Sequence, residues 1–67
     1  AATRLFVATN LYILEPDKKR LLIFNKQGQL LNQIVFRNSQ NLKDVYVDEE
    51  DRYIYLLDTN KLLQITF

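Results

Sequence analysis

Leu11-Tyr12-Ile13-Leu14-Glu15, a polar loop, and Arg20-Leu21-Leu22-Ile23-Phe24 make one phrase of this chain. Ile54-Tyr55-Leu56-Leu57-Asp58, a shorter loop, and Lys61-Leu62-Leu63-Gln64-Ile65 repeat it. The copies begin about 43 residues apart, a period at which repeats stack on their neighbours. Short apolar bursts rich in Tyr and Ile, bounded by polar clusters, are strand signals.

The same rhythm runs outward in both directions. It predicts strands at Arg4–Ala8, Leu11–Glu15, Arg20–Asn25, Gln29–Phe36, Lys43–Val47, Tyr53–Asp58 and Lys61–Phe67. Gln27–Phe36 could be drawn as a helical face, but Ile34-Val35-Phe36 and the turn before it favour a strand. Thr9-Asn10 and Thr59-Asn60 are expected hairpin turns, with Asn supplying the left-handed conformation. Asn25–Gly28 places the only Gly where a hairpin needs positive φ. Pro16-Asp17 opens a longer loop, and Glu49–Arg52 is a polar turn. Asn38–Asn41 is the longest purely polar connector. It divides the chain into a four-stranded unit at 1–37 and a three-stranded unit at 38–67, parts of one domain.

Sixty-seven residues make one small domain at most. A chain of this size buries only about 60% of the surface its unfolded form exposes. Cys and His are both absent, which excludes disulfides and Cys–His metal sites as staples. Association with more protein is the staple that remains. A net charge of +1 argues against nucleic acid and anionic membranes as partners. No apolar run approaches a membrane span, and Ala1-Ala2-Thr3-Arg4 opens no signal-peptide h-region. The absence of Met gives the expectation of a processed, trimmed or partial chain. Nothing in the composition fixes a compartment.

Leu11–Leu14, Leu21–Phe24 and Tyr53–Leu57 do not alternate apolar and polar residues. Such strands are expected to be covered on both faces. One seven-stranded sheet cannot cover both of its own faces, and a sandwich would leave each outer face bare. Each large side chain left wet forfeits roughly 1.5–3 kcal/mol, against a net stability of about 5–15 kcal/mol for a domain. Another sheet on each side is the simplest remedy, and radially stacked blades supply it.

At these residues the chain resembles a β-propeller of the NHL-like class. Tyr12-Ile13-Leu14-Glu15, the loop Pro16–Lys19, Arg20-Leu21-Leu22-Ile23-Phe24 and the turn Asn25–Gly28 are similar to one blade. Lys19 stands where such blades usually carry Asn. Leu42–Asp48 resembles the innermost strand of the next blade, with Tyr53–Asp58 and Lys61–Phe67 as its second and third strands. The resemblance implies an all-β fold of antiparallel four-stranded meanders arranged as blades. About one and three-quarter blades are present, an open fragment that needs further blades or copies to close. No ligand-binding residue of the family carries over.

Asp48-Glu49-Glu50-Asp51 supplies oxygen ligands for a weak Ca²⁺ site but lacks the EF-hand spacing and Gly, so a solvated turn is favoured. Lys18-Lys19-Arg20 could meet phosphate, yet without aromatic interleaving it reads as a wet loop. Tyr12, Tyr46, Tyr53 and Tyr55 lie within expected strands, where packing outranks a ligand platform. Ser39 has no His partner, and Glu15, Asp17, Asp48 and Asp58 all have turn explanations. One Gly cannot build a phosphate loop.

These observations lead to a scaffold or protein-interaction segment without its own catalytic residues, cofactor or metal. Its partners would be further blades, copies of itself or another subunit. The candidate contacts are loop residues Asp17, Lys18, Lys19, Glu49, Glu50 and Asp51. A part of a larger propeller enzyme or ligand-binding domain is a second reading. A small independent β-barrel or sandwich binding module is a third.

Overall fold

Alternate residues of a strand point to opposite faces, and Tyr12 and Leu14 on one strand, with Leu21 and Ile23 on the next, are almost wholly buried. The computed structural model describes residues 3–67; Ala1 and Ala2, which open the first expected unit, lie outside the described residues. It contains β1 (Arg4–Val7), β2 (Leu11–Glu15), β3 (Arg20–Phe24), β4 (Leu30–Val35), β5 (Leu42–Asp48), β6 (Tyr53–Asp58) and β7 (Lys61–Thr66). Between β2 and β3 lies one 3-10 turn, Pro16–Lys18. Among the described residues no helix is long and apolar enough to cross a membrane.

The fold is all-β, built from two antiparallel sheets. One is four-stranded in the order β1-β2-β3-β4, the other three-stranded in the order β5-β6-β7. Each is a meander, so every connection within a sheet is a short hairpin. The sheets pack face to face over a core of Tyr12, Leu14, Leu21 and Ile23 from one and Leu42, Val45, Val47, Ile54 and Leu56 from the other. Phe6, Ile34, Leu63, Ile65 and Phe67 close its margins.

The pairing shows how β5 meets this core. Leu42 opposes Asp58, but Asp44 opposes Leu57, so the register shifts around Lys43. That extra residue puts Leu42, Val45 and Val47 on one face despite their uneven spacing.

The apolar runs are not covered on both faces within this chain. Burial alternates along β2, β3 and β6, and the outward faces stay open. Leu5, Val7, Leu30 and Val35 are exposed outside the four-stranded sheet, and Tyr46, Leu57 and Leu62 outside the three-stranded one. Two stacked sheets have four faces and shelter two of them.

The turns also differ from expectation. Gly28 has the positive φ expected of it, at 87°. In the two Thr-Asn turns, however, the left-handed residue is Thr59 at 56°, and neither Asn10 nor Asn60 has positive φ. Lys19 and Arg52 are left-handed too, at 52° and 60°. Lys19 takes this conformation because its N–H closes the 3-10 turn onto the Pro16 carbonyl at 3.1 Å. The 38–41 connector is polar but not all wet. Ser39 is buried, and its hydroxyl donates to the Phe36 carbonyl at 2.8 Å.

Candidate functional site

Strand direction decides which loops meet. The turns after β1, β3 and β5 lie at one end of the molecule with Phe67. The turns after β2 and β6, with the connector after β4, lie at the other. Asp17, Lys18 and Lys19 are therefore at the opposite end from Glu49, Glu50 and Asp51, and the six candidate residues form no common surface. The first three are exposed around the 3-10 turn, where the Lys19 carbonyl accepts the Phe36 N–H at 2.8 Å.

At the other end Glu49 crosses between the sheets. Its carboxylate accepts the Thr9 N–H at 2.9 Å, the Asn10 N–H at 3.1 Å and the Tyr12 hydroxyl at 2.8 Å. The sequence accounts for this clamp. Tyr12 packs its ring in the core, so its hydroxyl needs an acceptor nearby. The β1–β2 hairpin leaves two amides without a ladder partner, and the five residues from Asp48 to Arg52 bring a carboxylate across to them. Burial would raise the Glu49 pKa, but the Thr9 amide, the Tyr12 hydroxyl and the Asn10 amide together hold it down at about 2. Burial first, then the Glu49 carboxylate, pushes Tyr12 up to about 12.

Around this clamp is an open hollow of about 230 Å³ lined by Thr9, Asn10, Tyr12, Glu49, Arg52 and Phe67. Arg52 donates from Nε to the Phe67 carbonyl at 2.6 Å, and its guanidinium lies 4.8 Å from the Phe67 ring centroid. Tyr12 and Phe67 meet edge to face with centroids 6.1 Å apart. As a reactive centre the group is poor. Glu49 is committed to three donors and strongly acidic, the wrong poise for a general base near neutrality. Glu50 and Asp51 point to solvent, while the Asp51 N–H bonds Asp48 Oδ1 at 3.1 Å within the turn. Among the described residues no group of three or more His, Cys, Asp or Glu converges on a metal position.

A second polar hollow of about 230 Å³ lies at the other end, lined by Asn38, Gln40, Asp58, Thr59, Asn60 and Lys61. Asp58, only 6% exposed, accepts the Asn41 N–H at 2.7 Å and the Gln40 N–H at 3.2 Å. These bonds tie the connector between sheets to the end of β6. The third hollow, about 290 Å³, is more apolar and lies on the open face of the three-stranded sheet. Asp44, Val45, Tyr46, Tyr55, Leu57 and Leu62 line it. Of the four tyrosines only Tyr12 is in the core. Tyr46, Tyr53 and Tyr55 form a chain of tilted rings on this open sheet, with centroids 6.3 and 6.1 Å apart.

Sequence reasoning treated Tyr12 and Glu49 separately, one as packing and one as a wet turn. The available signal was Tyr12 itself, since a strand tyrosine inside a core implies an acceptor close by. The chain matches no family model, no curated protein and no solved structure.

Proposed function

We propose that this chain is two neighbouring blades of a β-propeller, the second short of its outer strand, serving as a scaffold or protein-interaction surface with no chemistry of its own. The observation that carries this reading is the pair of bare apolar faces. Leu5 and Leu62, on opposite outer faces, are 62% and 69% exposed, while their neighbours Phe6 and Leu63 turn inward and pack against the core. Large contiguous apolar surfaces on a soluble protein mark contact with another protein. The resemblance to NHL-like blades and the proximity of β1 to β5, the first strand of each meander, point the same way.

The partners are further blades, copies of the chain or another subunit, and the hollows at either end are places where a rim contact could form. Gel filtration with light scattering, joined to circular dichroism, tests the reading on the chain itself. The expected result is either a mass above that of one chain or a poorly folded monomer. A stable, well-folded monomer at all concentrations would overturn it.

A further inference from the structure

We infer that the open face of the three-stranded sheet receives the open face of the four-stranded sheet of a second copy, head to tail, repeating the packing that already joins the two sheets within one chain. This rests on the blade reading above and names the surfaces through which it acts.

The argument is positional. The register of β2 with β3 pairs Tyr12 with Ile23 and Leu14 with Leu21. The register of β6 with β7 pairs Tyr55 with Gln64 and Leu57 with Leu62. By the repeat these are the same places in the two sheets. In the first sheet they are buried against the second; in the second they face outward, with Leu62 most exposed. The inner strands agree, because Phe6 opposes Tyr12 as Tyr46 opposes Tyr55.

The complementary surface obeys the same rule. Ile54 with Ile65 and Leu56 with Leu63 form the side of the second sheet that meets the first. Their repeat equivalents are Leu11 with Phe24 and Ile13 with Leu22, on the outward side of the first sheet. Val45 and Val47 correspond likewise to Leu5 and Val7, which are exposed. On the three strands that the sheets share, one chain thus carries most of both halves of its internal interface a second time on its two outer faces; Gln64 stands where the first sheet has Ile23, and β4 with Ile34 has no counterpart in the second sheet. A contact between unlike faces of identical chains propagates until it closes as a ring or runs on as a filament.

The polar clamp of the internal interface does not recur either. Thr9 occupies the repeat position of Glu49, so a junction between copies has the apolar packing without the carboxylate clamp. Assembly between copies is accordingly weaker than packing within one and depends on concentration.

The test uses the whole chain and two variants, Leu62→Glu on one face and Leu5→Glu on the other. Both positions are exposed, so each variant should keep the β-rich far-UV spectrum; Leu62→Ser and Leu5→Ser replace them if either does not. Light scattering across a concentration series should show the unaltered chain assembling and each variant monomeric. An equimolar mixture of the two variants should form a heterodimer and nothing larger, because one intact pair of unlike faces remains. A variant that still forms the parent oligomer, or a mixture that stays monomeric, overturns the head-to-tail contact while leaving the scaffold reading in place. An unaltered chain that is a folded monomer throughout overturns both.

Discussion

Glu49 shows how much one side chain can hold in a small domain. Its carboxylate satisfies two hairpin amides and the hydroxyl of a core tyrosine. Glu49→Gln keeps one acceptor oxygen but puts an NH2 donor in place of the other, which faces a donor, and it loses the charge that strengthens the bonds that remain. We expect a loss of about 1–3 kcal/mol at pH 7, measured by urea unfolding. The pH dependence separates this role from simple packing. Glu49 falls from 4.5 to about 2 on folding, so as pH drops the unfolded chain takes up the proton first. Its contribution is complete above about pH 4.5 and disappears towards pH 2, and Glu49→Gln should flatten that limb of the stability profile. Tyr12 shifts the other way, from 10.0 to about 12, so its contribution is complete below pH 10 and declines from there to pH 12. Burial is the largest cause of the Tyr12 shift, so much of the alkaline decline should survive in Glu49→Gln. An acid limb unchanged by the substitution would show that the clamp does not stabilise the fold.

The elements were legible because each strand carries its own evidence. Seven apolar bursts with polar turns between them mark seven strands, each within one residue of its observed limits. The shift at Lys43 was not legible, since it depends on which β5 residues must face the other sheet. The same reason hid Asp58. In sequence it ends a strand, and only the return of the chain after β4 brings Gln40 and Asn41 against its carboxylate. Thr59 was misread because Asn is the common left-handed residue, yet here the hairpin register and the Thr59 amide bond to Asn41 fix the turn one residue earlier. Asp58→Ala should leave two amides of the connector without their acceptor and cost about 1–3 kcal/mol. Because Asp58 joins one sheet to the segment leaving the other, amide exchange at Gln40 and Asn41 should speed up before exchange in the centre of β2 does. Equal protection of those amides in both proteins would remove Asp58 from this role.

The whole molecule is where sequence pattern and structure part company most usefully. Unbroken apolar runs such as Leu11–Leu14 predicted cover on both faces, and the folded chain provides it on one. On the blade reading proposed above, the pattern belongs to an environment larger than two sheets. If copies supply the missing cover, association and folding are linked, and stability must follow mass action. Each tenfold rise in chain concentration above the dissociation constant then adds about 1.4 kcal/mol per junction. For a domain of this size about 1 kcal/mol moves the melting temperature by roughly 4–8 °C. Thermal unfolding followed by circular dichroism at two concentrations ten or more fold apart should thus show Tm rising by several degrees. Leu62→Glu should melt at the same temperature at both concentrations, and the unaltered chain should approach that temperature only when diluted below the dissociation constant. The comparison is informative because Leu62 is the most exposed large apolar side chain described and contributes little to the internal core. A concentration-independent Tm for the unaltered chain would mean that the outer faces stay bare in solution and that the two sheets are stable without further cover.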